Sequence, residues 1–552
     1  MLRLLGLILL GIVGCSVVSF QSVDAVSSDP NHFVSADNSF YAYVKGGEAV
    51  DVSFERTAYQ EQLDTPLTEI IITIDGPGIE QQKCVIEKTV KVGQGCEFDQ
   101  ITAPQTGVWR IQFDVPDAAK SYKEVSQDIK WGKYLYEWTI DITSGVAPQI
   151  GRVWSERYAL RQPDSTEFIG DFTMFYISED GYIYRSKYFG YNGQISVLSA
   201  DSVGIRSGDN CESVYRSVDV TDAKLSPAYG DCGGSYKLFF EEPAGDLPTK
   251  ATRWDDETEW IRPDIKRPAI SELAFISDNS QDQQSGTVAF FLRNFVGQYD
   301  IKVDVDNDGS FDGQNDVVLH QQMRRLSDGL QRIRFPGVDK TGLIISPSQK
   351  IGIKVEITKV AEIHFVAADV EGRTGGIELV RLNGTNAPTT KICWNDTELD
   401  EIADIAAATE DRDGRNCPVS TNGAHGWGYS GGSWGNARYI EDWVYASARL
   451  QGASTIVFPS DGEEIVTTAQ RNGALIAFIS IVVSIMAIAG GVFIAIKKKQ
   501  RRRNDITVSG ESQVQQPMYG PQQPPAQSQN PGQVQQYPDD PPQQGPRPPS
   551  NL

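Results

Sequence analysis

The chain has 552 residues, 40% hydrophobic and 22% charged, enough for several folded units and excluding a wholly disordered or collagen-like polymer. Acids outnumber bases by 73 to 50, a net of −23, which argues against nucleic-acid binding because that affinity comes largely from Lys and Arg displacing counterions. Only four histidines occur, so mechanisms that need several of them are excluded at the outset.

Residues 1–25 read as a secretory signal: Arg3, then an apolar run from Leu4 to Val13, with a small residue at Ala25. Ile12-Val13-Gly14-Cys15 also fits a bacterial lipobox, in which Cys15 would carry a lipid. From there to residue 459 no 3.6-residue period is sustained. Alternating and aromatic-rich runs bounded by Gly, Pro, Asp and Asn recur instead, as in Phe40–Val44, Glu69–Ile74, Val108–Phe113 and Tyr134–Ile140. The expected fold is therefore mainly β, with tandem Ig-like β-sandwiches. The expected units are an Ig-like domain at 27–145, a β-domain at 146–262, an Ig-like sandwich at 266–388 and a small Gly/Trp-rich domain at 389–459. A stalk at 460–473 follows.

Residues 474–496 contain no charge, and at 1.5 Å per residue they are long enough to cross a bilayer as a single helix. Lys497, Lys498, Lys499, Arg501, Arg502 and Arg503 come next and set the C-terminal side as cytoplasmic. The expected topology is single-pass type I in the cell membrane, with the ectodomain outside. Beyond Arg503, the tail to residue 552 is rich in Pro and Gln and is expected to be disordered.

Six cysteines lie between the signal and the span, in three local couples: Cys84 with Cys96, Cys211 with Cys232, and Cys393 with Cys417. In an oxidising compartment such couples are expected to close as disulfides. No CxxC occurs, and no two histidines stand at ligand spacing, so a zinc site is excluded.

Asp304-Val-Asp306-Asn-Asp308-Gly309-Ser310-Phe-Asp312 has the oxygen ligands of a calcium loop at positions 1, 3, 5, 7 and 9, with Ser310 contributing its carbonyl and Gly309 the sharp turn. Position 12 is Asn315 rather than Glu, with Asp316 beside it, and the flanks read as strands. One Ca²⁺ is expected here; the plain alternative is a solvated Asp/Asn/Gly turn. Two strings resemble nucleophile loops: Gly428-Tyr-Ser430-Gly-Gly432 and Gly230-Asp-Cys232-Gly-Gly-Ser235. The first has no histidine after it and the second an evident disulfide partner, so neither supplies a triad. Trp427, Trp434 and Trp443, interleaved with glycines, could form an exposed stacking platform for a sugar or a protein, or could fill the core of a small domain with His425 packed among them.

The run from Asp304 through Gly337-Val-Asp339-Lys-Thr-Gly342 to Glu362-Ile-His364-Phe365, Asp369-Val-Glu371 and Gly375-Gly376-Ile377 resembles Ig-like modules of large bacterial cell-surface proteins. The His425-x-Trp427-Gly428 and Ile440-x-Asp442-Trp443 strings are similar to segments that follow such modules. The resemblance implies a bacterial envelope protein and names no activity. The expected function is non-enzymatic binding or adhesion to a cell-surface glycan or protein. The alternative is an envelope enzyme that acts on glycan through paired carboxylates.

Overall fold

The computed structural model describes residues 26–27, 32–60, 69–116, 129–163, 169–193, 195–208, 211–222, 224–229, 231–232, 234–399, 412–421, 423–428, 434–435, 438–448 and 455–459. The signal at 1–25, Cys15, the stalk, the span at 474–496 and the tail lie outside the described residues. Among the described residues the chain is mainly β with no α-helix, and no helix is long and apolar enough to cross a membrane.

Alternation in the sequence becomes the two faces of antiparallel sheets. In Asn38–Val44, Gly107–Asp114 and Ile70–Asp75, the residues Phe40, Ala42, Ile111, Phe113, Ile72 and Ile74 point into the core. Between them Ser39, Tyr41, Gln112, Asp114, Ile71 and Thr73 face outward, the two-residue period of a half-buried sheet. These strands sit in a nine-stranded sheet whose spatial order is Gly372–Arg381, Ile183–Asn192, Gly170–Ile177, Lys237–Phe239, Val153–Ser155, Asn38–Val44, Gly107–Asp114, Ile70–Asp75 and Gln82–Ile86. A six-stranded sheet is built on Trp131–Ser144 and Ala49–Gln60. A second six-stranded sheet is centred on Lys359–Ala368 and Arg438–Ser447.

Strand pairing crosses the boundaries expected at 145/146 and between 262 and 266. Val153–Ser155 pairs with Asn38–Val44, and Gly372–Arg381 pairs with Ile183–Asn192. One hydrophobic core accordingly runs from Val26 to Val444 through all three of these sheets. The segment expected as one sandwich at 266–388 divides. Ala269–Ser277, Gly286–Asp304, Val317–Phe335 and Ile351–Glu356 form a five-stranded sheet with their own core, and its fifth strand, Thr455–Phe458, arrives from far along the chain. Lys359–Ala368 and Gly372–Arg381 leave for the larger sheets.

Disulfides join Cys84 to Cys96, Cys211 to Cys232, and Cys393 to Cys417, the same local couples the spacing suggests. The first ties the edge strand Gln82–Ile86 of the nine-stranded sheet to Gly95–Thr102 of its neighbour.

Candidate functional site

Three places concentrate polar chemistry. The first is a pocket of about 540 Å³ on the outer face of the nine-stranded sheet. Its floor is a row across three strands, because Ser39 pairs with Gln112 and Gln112 with Thr73, and Thr73 Oγ1 and Gln112 Oε1 lie 3.3 Å apart. At one end stand Asp37 and Asp114, with Lys130 Nζ 3.7 Å from the first carboxylate and 3.6 Å from the second. Burial, with the Asp114 carboxylate adding to it, pushes Asp37 up to about 6 against the pull of the Val115 amide and Lys130. Another wall carries Glu156, Arg157 and Tyr229, and the Arg157 guanidinium lies 5.2 Å from the Tyr229 ring centroid. Burial also raises the Glu156 carboxyl.

The second place is the acidic loop. It folds as its composition dictates: Asp304 accepts hydrogen bonds from the amides of Asp308 and Gly309 at 3.2 and 2.8 Å, and Gly309 turns with φ +91°, which favours glycine. Asp316, rather than Asn315, closes the loop, accepting from the amides of Val305 and Gly313 at 2.9 and 2.7 Å. Oxygens of Asp304, Asp306 and Asp316 all lie within 4.8 Å of one another. Asp304 and Asp316 are buried, and burial together with the neighbouring Asp316 charge raises the Asp304 carboxyl. Asp308 and Asp312 turn aside, Asp308 to the Ser310 amide and Asp312 to the Ser310 hydroxyl, so neither belongs to the close triad.

The third is internal. Arg438–Ser447 is buried on both faces along Arg438–Val444 and carries two adjacent acids, which the pleat sends to opposite sides. Glu441 Oε1 meets His364 Nδ1 at 2.6 Å, and His364 Nε2 stands 3.4 Å from Glu362, which accepts from Tyr215 Oη at 2.6 Å. On the other side Asp442 meets His425 Nδ1 at 2.5 Å and Arg373 Nη1 at 3.1 Å, while Asp396 meets His425 Nε2 at 2.6 Å. Both rings are buried, and burial alone would push each imidazolium down. The paired carboxylates outweigh it and hold His425 and His364 up at about 9. The Arg373 and His425 charges hold Asp442 below the usual carboxylate range although burial opposes them, whereas burial prevails at Glu441 and raises it. Gly204 backs this packing: with φ +71°, a Cβ there would lie 2.1 Å from Glu441 Oε1.

These ion pairs correct the tryptophan platform. Trp427, Trp434 and Trp443 are only 1%, 4% and 4% exposed, so none offers a ring to a ligand. Trp427 packs on Arg373 and Trp434 on one side of the strand, and Trp443 stacks on His364 on the other. Aromatic faces are suited to this work, since they cover cations while shielding them from water. His425 is packed and hydrogen-bonded, stacked 5.0 Å from Trp394. Cys232 is buried in its disulfide and offers no thiol; Ser430 lies outside the described residues.

Asp37, Asp114 and Glu156 escape sequence reasoning, since three separate strand ends bring them together. The Glu362/His364/Glu441 cluster leaves one trace in the sequence: Glu362 and His364 are two apart in an apolar run and so share a face. Neither a protein-family model nor a curated protein matches this sequence.

Proposed function

We propose that this is a non-enzymatic binding or adhesion protein, held at a cell membrane with its β-rich body outside. The observation that carries the reading is the pocket of about 540 Å³ on the outer face of the nine-stranded sheet, a size suited to a small ligand and lined by hydroxyl, amide and carboxylate side chains. The signal at 1–25, the uncharged span at 474–496 and the basic cluster after it support type I anchoring, and the resemblance to Ig-like surface modules supports a bacterial envelope. A binding screen of the protein against whole cells and immobilised glycans tests the function, and retention on none of them would sink it. Protease added outside intact cells should remove the ectodomain and spare the Pro/Gln tail. A tag at Leu552 that antibody reaches without permeabilisation would refute that topology.

Calcium belongs to the same proposal. Asp304, Asp306 and Asp316 would supply the close carboxylates, with the Ser310 carbonyl, Asp308 and Asp312 around them. Two buried acids side by side repel, so a cation between them should stabilise the five-stranded unit by about 2.7 kcal/mol at a hundredfold excess over its dissociation constant. The melting transition of the protein should therefore rise in millimolar calcium and fall in EDTA. Asp306→Ala, at the exposed member of the triad, should lose that shift; an unchanged transition would make the loop a solvated turn.

One observation favours an enzyme acting on glycan: Asp37, held at about 6 beside Asp114, sits in the range of a general acid. Asp37 and Asp114 are hydrogen-bonded to each other directly, however, whereas glycoside hydrolysis keeps its pair about 5 Å or more apart around the scissile bond. Release of reducing ends from a glycan, abolished by Asp37→Asn, would establish the enzyme over the binding protein.

A further inference from the structure

We infer that the pocket over Ser39, Gln112 and Thr73 binds an uncharged saccharide; this rests on the reading of the protein as a surface binding protein and names its ligand class. The site lies on the face of a sheet, not at an edge. Ser39, Gln112 and Thr73 belong to strands whose backbone groups are already engaged with neighbours on both sides, so only side chains can contact a ligand. An extended peptide, which is usually recognised through main-chain hydrogen bonds at a sheet edge, has no counterpart for its backbone here.

The floor side chains are two hydroxyls and an amide, groups that both donate and accept. A molecule dense in hydroxyls matches such a row, because each hydroxyl also donates and accepts. The charges at the rim narrow the choice. Carboxylates of Asp37, Asp114 and Glu156 border the pocket and repel phosphate, sulfate or an acidic sugar. Lys130 lies against the first two and the Lys237 charge acts on Glu156, so the acids are partly offset and no strong field remains to select a free cation. Carboxylates so placed are acceptors for neighbouring hydroxyls of one sugar ring. Tyr229 adds an aromatic surface for the apolar face of a ring, and its own ring is steadied by the Arg157 guanidinium. The volume of about 540 Å³ accommodates a short oligosaccharide rather than a lone ion.

The test uses the full-length protein in a lipid nanodisc, free of glycosidic detergent, and titration calorimetry with a fixed panel. The panel holds four neutral trisaccharides (cellotriose, maltotriose, mannotriose and N,N′,N″-triacetylchitotriose), one acidic sugar (sialyllactose) and one polycation (spermidine). At least one neutral trisaccharide should bind, and more tightly than both charged probes. Gln112→Leu, which keeps the side-chain bulk and removes its hydrogen bonds, should weaken that binding tenfold or more. Thr73→Val should weaken it severalfold and serves as the second readout should Gln112→Leu lower the unfolding midpoint. Tighter binding of a charged probe, no binding by any neutral trisaccharide, or an affinity unchanged in both variants would each overturn the inference. If the protein is still retained on cells or glycans in those cases, the broader binding function survives; if that retention is absent too, both fall together.

Discussion

Asp442→Ala should destabilise the protein by on the order of 3–5 kcal/mol, the usual cost of removing one partner from a buried ion pair. Asp442 is buried and is shared between His425 Nδ1 at 2.5 Å and Arg373 at 3.1 Å. Among the described residues, alanine would leave the Arg373 guanidinium buried with the His425 carbonyl as its hydrogen-bond acceptor, and would take from the His425 ring one of the carboxylates it meets, leaving Asp396. It would also open a void in a strand packed on both faces. Urea unfolding followed by tryptophan fluorescence reads the change. Asp413→Ala is the comparison, because Asp413 and Arg415 form a pair at 2.6 Å on the surface, where water screens it. The Asp413 variant should leave the midpoint where it is. Equal midpoints for both variants would mean that water reaches Asp442 and that the interior network contributes little. A double substitution with His425→Ala should cost less than the two singles together, since both remove the same contact.

Raising the pH should weaken the fold well before lysines titrate. His425 and His364 are held at about 9 in the folded protein, against 6.5 for an unfolded histidine. A folded value above the unfolded one means that the native state keeps the proton more tightly. Their contribution is therefore complete below about pH 6.5, declines as pH rises, and is lost above about 9. The size is on the order of 3 kcal/mol for each ring. Unfolding midpoints at pH 6, 7.5 and 9.5 should fall in that order, and the double variant His364→Gln/His425→Gln should flatten the upper part of the profile. That comparison separates the rings from the general repulsion of a chain with a net charge of −23, which both proteins share. A profile equally steep in the double variant would assign the alkaline loss to that repulsion.

Both predictions concern residues whose importance is only half visible in the sequence. Ile440-Glu-Asp-Trp-Val-Tyr445 reads as an aromatic strand, yet nothing in it says that both acids are buried. Alternation reports burial on one face. Lys359–Ala368 and Arg438–Ser447 lie at the centre of their sheet and are buried on both faces for most of their length, so the period that would mark an inner face disappears. The three tryptophans leave two readings open for the same reason: glycine between aromatics marks either an open platform or a tight core, and the choice depends on which strands lie over them.

What the sequence by itself determined is local. The strand runs Asn38–Val44, Ile70–Asp75 and Gly107–Asp114 follow from a two-residue period that needs no distant partner. The three disulfides follow from cysteines 12, 21 and 24 residues apart, and the turn around Gly309 from Asp and Asn side chains that bond amides a few residues on. Tertiary structure alone decided what depends on residues far apart in the chain. It joined parts of all four expected units in one core while giving the five-stranded sheet its own, brought Thr455–Phe458 beside Ile351–Glu356, replaced Asp308 and Asp312 by Asp316 in the close carboxylate triad, and set Asp37, Asp114 and Glu156 around one pocket. The physical reason is that antiparallel pairing is chemically uniform along the backbone: any exposed strand offers the same amides and carbonyls, so the partner is chosen by how whole faces pack, not by a signal within either strand.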